Sequence, residues 1–255
     1  PQKPPLYGTE KKKKGIFKKF YSLFFSKENH AILKQKGKKG GGSCVYLVGI
    51  TGPSGSGKTT LAQKLMQKLH CRTLHLTQDM YYRDTPGLTD AQRRQINYDA
   101  PQSFDFALLY GDLSQLAQGC PIERREYDYV QYRRKDTGQA VGPAPVVILE
   151  GIHIFYRQEI AARCDLKIFV QLDADLCLLR RLRRDMAQRG RTLDSVARQY
   201  EATVKPMYEK YVRNYAPLAD LVVPTVREND LAVEILAQHI NRAAAPEACL
   251  ACPRP

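Results

Sequence analysis

The sequence has no tryptophan and no apolar run near the roughly 18 residues that a membrane-spanning helix needs. No transmembrane helix is therefore predicted. The seven cysteines are odd in number and mostly isolated, which is typical of a reducing compartment rather than of a disulfide framework. Cys249 and Cys252 form a CxxC pair, but no second pair completes a four-ligand zinc site. We interpret residues 244–255 as a disordered tail.

Arginine is absent from residues 1–43, which hold 12 lysines and two acids and so carry +10 of the formal charge of +14. The rest of the chain carries only +4, so no nucleic-acid partner is predicted. Residues 1–43 end in a Gly/Lys-rich linker and are interpreted as a basic, disordered leader. Alternatively, Phe17, Phe20, Tyr21 and Phe24 share one face of an amphipathic helix that contacts an anionic membrane. Organelle import through this leader also stays open.

Short apolar runs alternate with helical patterns through the rest of the chain. The runs predict strands at 44–50, 72–76, 145–151, 166–172 and 219–224. The helical patterns lie at 58–70, 106–118, 174–188, 195–213 and 230–243. Because the apolar runs are nearly continuous, their strands are expected to be covered on both faces. The alternation predicts an α/β domain over 44–243 with a largely parallel sheet.

The stretch GPSGSGKT, residues 52–59, fits the pattern GxxxxGK[ST] between a predicted strand and a predicted helix. Glycines let backbone N–H groups converge on phosphate oxygens at a helix N-terminus. Lys58 would reach the outer phosphates, and the Thr59 hydroxyl would bind Mg²⁺. This loop predicts nucleotide binding but leaves the reaction open. The predicted ATP-binding residues are Gly52, Ser54, Gly55, Ser56, Gly57, Lys58, Thr59, Thr60, Arg189 and Arg191.

Two acids follow predicted strands. Asp79 comes just after the second strand, where the carboxyl ends of parallel strands face the same crevice. It would accept a proton from an acceptor hydroxyl or hold Mg²⁺, although a helix-capping role stays open. Glu150 ends an apolar strand and would bind Mg²⁺ directly or through water, unless it is a surface glutamate.

Arginines and tyrosines concentrate in three stretches. RRLRRDMAQRGR contains six arginines, and guanidinium groups bind phosphate and stabilise a transferring phosphoryl group. Some of these arginines would instead lie on a solvated helix face. NYDAPQSFDF and EYDYVQYRR are rich in aromatic residues and acids, which suit bases and sugar hydroxyls. Tyr98, Phe104 and Phe106 could equally be core residues.

From Val45 to Ile240 the ordered blocks GPSGSGKTT, QDMYY, NYDAPQSFD, YDYVQYRR, VVILEGI, RRLRRDMAQRGR, QYEATVKPMYEKY and ADLVVP resemble the uridine–cytidine kinases of the phosphoribulokinase/uridine kinase group. The resemblance implies a P-loop kinase fold with a small β-rich nucleoside-binding insertion and an arginine-rich helical lid. It also implies phosphate transfer from ATP, with GTP as an alternative donor, to the 5′-hydroxyl of a pyrimidine ribonucleoside. Mg²⁺, a homotetramer and a cytoplasmic location are further expectations.

The resemblance also implies residue roles. Asp79 would be the general base and a metal neighbour, assisted by Lys58, Arg184 and Arg189, and Thr59 and Glu150 would serve Mg²⁺. The implied nucleoside-binding residues are Asp79, Tyr82, Tyr98, Asp99, Tyr127, Tyr129, Tyr132, Arg181, Arg184 and Gln199. Within this set, Asp99 and Gln199 would hold ribose, and Tyr127 and Tyr129 would flank the base.

The sequence departs from the family pattern in YDYVQYRR. Many members carry histidine in YDF–xx–H–xR, where this chain has Tyr132. That position would face the pyrimidine edge, and a phenol donates and accepts from a different distance and angle than an imidazole. We expect a preference for cytidine over uridine. His153 of GIHIF stands where an aliphatic residue is usual, and it is interpreted as a packed or pocket-edge residue.

Two other functions are compatible with parts of the sequence. Another small-metabolite kinase of the same group, such as a phosphoribulokinase-like enzyme, is disfavoured by YDY and QYEATVKP. A nucleotide-gated binding protein with a membrane-associating leader is disfavoured by Asp79, Lys58, Glu150 and the lid arginines.

Overall fold

The computed structural model describes residues 45–245, and seven strands lie within that range. They are β1 (Tyr46–Thr51), β2 (Thr73–Thr77), β3 (Ile122–Asp128), β4 (Arg133–Val141), β5 (Val146–Glu150), β6 (Leu166–Gln171) and β7 (Leu221–Pro224). Five of them form a parallel sheet in the order β2-β5-β1-β6-β7, and β3 pairs with β4 as an antiparallel hairpin. The predicted α/β architecture with a parallel sheet is confirmed.

Helices connect the parallel strands. They are α1 (Lys58–Lys68), α2 (Asp90–Arg93), α3 (Phe106–Ala117), α4 (Gln158–Ala161), α5 (Ala174–Arg189), α6 (Leu193–Gln199), α7 (Lys205–Lys210) and α8 (Asp230–Ala243). Short 3₁₀ turns occupy Gln78–Tyr81, Pro101–Ser103 and Val212–Leu218.

The helix predicted over 195–213 is not continuous. The segment Tyr200–Val204 is a π-helical turn between α6 and α7, and a 3₁₀ turn follows from Val212. Pro206 lies in the first turn of α7 and has no backbone N–H to donate to the carbonyl four residues earlier. The hydrogen-bond pattern of one long α-helix is therefore interrupted, and this prediction was wrong in its length.

The sheet is covered on both faces. Along β5, Val147 and Leu149 pack on one side, whereas Val146 and Ile148 pack on the other, and all four are fully buried. The first cluster includes residues of α3, and the second includes residues of α1 and α8. This double coverage explains why the strands are continuous apolar runs rather than alternating patterns.

The β3–β4 hairpin is tied to the domain by a buried ion pair. Arg125 of β3 donates to the Asp112 carboxylate of α3, and both side chains are largely buried. The Tyr81 hydroxyl donates to the same carboxylate at 3.0 Å. Burial raises the pKa of Asp112, and the Arg125 guanidinium offsets part of this effect. Because Tyr81 lies two residues after Asp79, this contact sets the hairpin beside the end of β2.

Several predictions lie outside residues 45–245, namely the basic leader and the Cys249–Cys252 pair. The proposed boundaries after residue 43 and residue 243 stay predictions. Among the helices of residues 45–245, none has the length and apolar character required to cross a bilayer.

We expect Arg125→Ala to lower the free energy of unfolding by about 3 kcal/mol, because it leaves the buried Asp112 carboxylate without its cation. Arg124→Ala is the matched control, since Arg124 pairs with Glu126 on the surface and should cost at most about 1 kcal/mol. Urea unfolding of both variants measures the difference. Equal losses would show that the buried pair does not anchor the hairpin.

Candidate active site

The loop between β1 and α1 has a backbone that depends on glycine. Gly52, Gly55 and Gly57 have φ values of 147°, 85° and 97°. A Cβ atom on Gly52 would lie 2.4 Å from the Val170 carbonyl oxygen, and one on Gly55 would lie 2.4 Å from the Cys177 carbonyl oxygen. Gly57 also precedes α1, and no described side chain caps that helix. Its first N–H groups are therefore available to an anion.

Lys58 is the first residue of α1 and is 8% exposed, and its Nζ donates to the Pro53 carbonyl oxygen of the loop at 2.9 Å. Burial lowers the pKa of Lys58, whereas the nearby Glu150 and Asp79 carboxylates act in the opposite direction. The ammonium group is thus held inside the loop, next to the two acids.

The carboxylate at the end of β5 contacts the start of α1. Thr59 Oγ1 donates to Glu150 Oε1 at 2.7 Å, and His75 Nε2 lies 3.8 Å from the same oxygen. Burial raises the pKa of Glu150, and Lys58 lowers it. Glu150 is 5% exposed, so it is not the surface glutamate of the alternative interpretation.

The donor set around Glu150 suits Mg²⁺ bound jointly with phosphates. In residues 45–245 no group of three or more His, Cys, Asp or Glu side chains could hold a metal by itself. A hydroxyl and one or two carboxylates beside a phosphate-binding loop match the way Mg²⁺ is shared between protein and substrate. Thr59, Glu150 and Asp79 are the residues present for it.

The cleft beside the loop brings together all ten of the residues predicted to bind the nucleoside. It is lined by Asp79, Tyr82, Tyr98, Asp99, Tyr127, Tyr129, Tyr132, Arg181, Arg184 and Gln199 together with Ser54, Gly55, Lys58, Thr59, Glu150, Arg189 and Arg191. Of the other predicted loop residues, Gly57 and Thr60 line a neighbouring hollow, whereas Ser56 is fully buried under the loop. Gly52 packs against the Val170 carbonyl.

One wall of the cleft is made of tyrosine rings. The ring centroids of Tyr82 and Tyr127 are 4.5 Å apart, and Tyr132 stacks on Tyr98 at 5.4 Å. Burial raises the pKa of Tyr82, Tyr98 and Tyr127, so these phenols are neutral. Tyr132 is the only non-glycine residue with a positive φ, 55°, in the described part of the chain. Its backbone is thus held in a sparsely populated conformation at the pocket edge.

Phe104 is a core residue and Phe106 is a partly buried residue packed against the core, and neither is part of this wall. Phe104 is 1% exposed and stacks behind Tyr82 with a centroid distance of 4.4 Å, and Phe106 packs on Tyr156.

Asp79 has a different environment from that of a capping residue, because its carboxylate accepts a hydrogen bond from the Tyr129 hydroxyl.

Arg181 joins the phosphate loop to the ribose-binding candidates. Its guanidinium donates to Ser54 Oγ at 2.8 Å and to Gln199 Oε1 at 3.0 Å, and it lies 3.9 Å from the Asp99 carboxylate. Thr203 donates to the same carboxylate at 2.9 Å. Asp99 and Gln199 are therefore held in place before any ligand binds.

Asp185 is a site residue that the sequence reasoning missed. Its carboxylate is fully buried and lies 2.8 Å from the guanidinium of Arg184, 3.4 Å from that of Arg189 and 3.9 Å from that of Arg191. Arg181 approaches it at 3.5 Å. The detectable signal was its spacing, since Asp185 is four residues from both Arg181 and Arg189 on one helix.

The other two arginines of this block have different environments. Arg183 is exposed, in line with the solvated-face interpretation. Arg180 donates to the Thr225 carbonyl oxygen at 2.8 Å and lines the hollow on the outer side of the phosphate loop, with Arg227 and Asn229. That hollow was not predicted, because part of its lining comes from the end of β7 and the loop after it.

His153 is fully buried and lies behind the cleft. Its Nε2 is 2.8 Å from the Asp99 carbonyl oxygen, which can only accept, so Nε2 carries the proton. Its Nδ1 then accepts from the Tyr215 hydroxyl at 3.0 Å. Burial lowers the pKa of His153 to about 4. It is a packed residue that holds the backbone of Asp99.

Comparisons with known proteins agree with this geometry. A model described as the Phosphoribulokinase / Uridine kinase family matches residues 47–232. A uridine kinase of Lactobacillus helveticus (strain DPC 4571) is 43% identical over 197 residues, 76% of this chain and 93% of that protein. A uridine kinase of Lactiplantibacillus plantarum (strain ATCC BAA-793 / NCIMB 8826 / WCFS1) is 43% identical over 196 residues, 76% of this chain and 94% of that protein.

Among solved structures, a Silicibacter sp. TM1040 protein described as a fructose transport system kinase matches with a TM-score of 0.58. The match covers 76% of this chain and 98% of that one at 20% sequence identity, so it shows a shared fold alone.

We expect the stability of the protein to fall by up to about 3 kcal/mol between pH 6.5 and pH 4 because of His153. Its pKa is lower in the folded than in the unfolded chain, so the unfolded chain binds more protons in this window. In His153→Leu this contribution disappears: the variant is less stable at pH 7, and its deficit shrinks on acidification. Urea unfolding at several pH values measures this.

His70→Gln, which changes an exposed histidine, is the control and should keep the wild-type pH dependence. A constant difference between wild type and His153→Leu from pH 7 to pH 4 would contradict the buried, neutral state of His153.

Proposed function

We propose that this chain, which belongs to the phosphoribulokinase/uridine kinase family of phosphotransferases, transfers the terminal phosphoryl group of ATP to the 5′-hydroxyl of a pyrimidine ribonucleoside. The observation that supports this proposal most is that one cleft holds the glycine-rich loop, the Asp79 carboxylate and a tyrosine-lined pocket.

The donor side of the cleft binds the phosphates. The loop N–H groups and Lys58 bind the phosphate oxygens, while Arg184, Arg189 and Arg191 balance the negative charge. Mg²⁺ held by Thr59 and Glu150, with Asp79 near, would neutralise further charge when bound. The hollow beside Arg180 would take the purine of the donor, ATP or GTP, because guanidinium groups stack on flat rings.

The acceptor side of the cleft orients the nucleoside. Asp99 and Gln199 would bind the ribose hydroxyls, and the rings of Tyr82 and Tyr127 offer faces and edges to the pyrimidine. Asp79 would accept the proton of the 5′-hydroxyl as that oxygen attacks the phosphorus atom. The contribution of the protein is positioning and charge neutralisation rather than covalent chemistry.

Tyr132 is the residue proposed to select the base. Its phenol lies at the pocket edge, stacked on Tyr98, and can both donate and accept a hydrogen bond. We favour cytidine over uridine as the substrate. A cytoplasmic homotetramer, with no nucleic-acid partner, remains the accompanying proposal.

Another small-metabolite kinase of this family is the second candidate function. The ring wall argues against it, since a sugar phosphate offers no flat surface for tyrosines. A nucleotide-gated binding protein is a weaker third candidate, because Asp79, Lys58 and Glu150 meet in one cleft as phosphoryl transfer requires.

We expect Asp79→Asn to lower kcat for cytidine by at least about 100-fold, because an amide cannot accept the proton. Its Kd for ATP should stay within about threefold of wild type. Coupled ADP release measured with ribonucleosides, deoxyribonucleosides and ribulose 5-phosphate, together with calorimetry for ATP, tests both points. Asp84→Asn, an exposed acid in the same segment, is the control. Unchanged kcat would refute Asp79 as base, and turnover of ribulose 5-phosphate alone would support the second candidate.

We expect wild-type kcat/KM to be about tenfold higher for cytidine than for uridine, and Tyr132→His to bring the two values together. A neutral imidazole can donate or accept at the pyrimidine edge, so it tolerates both bases. Tyr132→Phe, which removes only the hydroxyl, should lower kcat/KM for cytidine. Equal efficiencies in the wild-type enzyme would reject the assignment of Tyr132.

A further inference from the structure

The Tyr129 side chain contacts the candidate machinery on both sides of the cleft. Its hydroxyl donates to Asp79 Oδ2. The guanidinium carbon of Arg189 lies 3.8 Å from the centroid of its ring. The edge of the ring packs on Tyr127, with centroids 5.2 Å apart and planes at 81°. One side chain therefore contacts the acceptor-side acid, the donor-side arginine and the pocket wall.

These contacts join three segments that are distant in sequence. Asp79 belongs to the 3₁₀ turn after β2, Tyr129 to the tip of the β3–β4 hairpin, and Arg189 is the last residue of α5. A residue that contacts the hairpin, the helix and the turn links the positions of all three.

The chemistry of the contacts with Asp79 and Arg189 suits a role of Tyr129 in positioning both side chains. The Tyr129 hydroxyl is the donor in the bond to Asp79, because an ionised carboxylate can only accept. Its bond to Oδ2 orients the carboxylate and leaves Oδ1 for the acceptor hydroxyl. The face of the ring attracts a guanidinium, and Asp185 holds Arg189 from another side at 3.4 Å.

We propose that Tyr129 is a positioning residue for the transfer reaction, whose hydroxyl orients the Asp79 carboxylate and whose ring seats Arg189 against the transferring phosphoryl group. This inference rests on the proposed function. It goes beyond the expectation that Tyr129 flanks the base, since it assigns the hydroxyl to Asp79 and the ring to Arg189.

The test compares Tyr129→Phe with Tyr129→Leu. The phenylalanine variant keeps the ring under Arg189 and loses the bond to Asp79, so kcat should fall about tenfold, with KM for cytidine and for ATP within about twofold of wild type. The leucine variant also loses the ring, so kcat should fall further and KM for ATP should rise several-fold. In an Asp79→Asn background, Tyr129→Phe should cause no additional loss of kcat.

Tyr110→Phe is the matched control. Tyr110 is a partly exposed tyrosine of α3 whose ring lies 4.0 Å from the guanidinium carbon of Arg163, outside the cleft. This variant should keep wild-type kcat and KM. Thermal unfolding of all variants separates misfolding from loss of alignment, and the phenylalanine variant is expected to keep the wild-type Tm within a few degrees.

Two outcomes would overturn the inference. Wild-type or higher kcat in Tyr129→Phe would show that the hydroxyl does not orient the base, and equal kinetics of the phenylalanine and leucine variants would show that the ring does not seat Arg189. Failure of the proposed function is recognisable separately, because the wild-type protein would then phosphorylate no nucleoside.

Discussion

The burial of β5 on both faces, between its parallel neighbours β1 and β2, is the constraint on which the cleft depends. Glu150 is in register with Ile50 of β1 and with Thr77 of β2, so the three strands end at one edge of the sheet. The phosphate loop, the turn with Asp79 and Glu150 itself leave the sheet together at that edge. A carboxylate at the end of a buried strand is costly unless it is matched, and Lys58 and Thr59 match it here.

Charge balance organises the arginine-lined wall of the cleft. Four guanidinium groups surround the single buried carboxylate of Asp185, so that carboxylate orients them without cancelling their charge. The surplus positive charge lines the same cleft as the phosphate loop. In the proposed reaction it attracts a polyphosphate and opposes the charge that develops during transfer. Removal of Asp185 would leave the guanidinium groups repelling one another, so this acid holds the arginine cluster together.

Local sequence patterns were sufficient to predict the sheet and the phosphate loop, because continuous apolar runs and the pattern GxxxxGKT each have one common structural outcome. Because the carboxyl ends of parallel strands meet at one edge of the sheet, the sequence was enough to predict that Asp79 and Glu150 share one cleft. The broken helix near Pro206 and the buried carboxylate Asp185 were not predicted. A helical pattern does not show which turn loses its hydrogen bonds. An acid among arginines is typical of a solvated helix face, and only tertiary packing shows that Asp185 is buried.

The position of the hairpin could not be predicted from the sequence for a further reason. Most β3 and β4 side chains are at least partly exposed, so the hairpin adds little to the core. It is held by the buried pair of Arg125 with Asp112, by Ile122 in the core and by the packing of Tyr127 against Tyr82. The residues proposed to recognise the base thus lie on an element that the sheet does not require. Under the proposed function, substitutions in the hairpin would change acceptor recognition without altering the contacts among β1, β2 and β5.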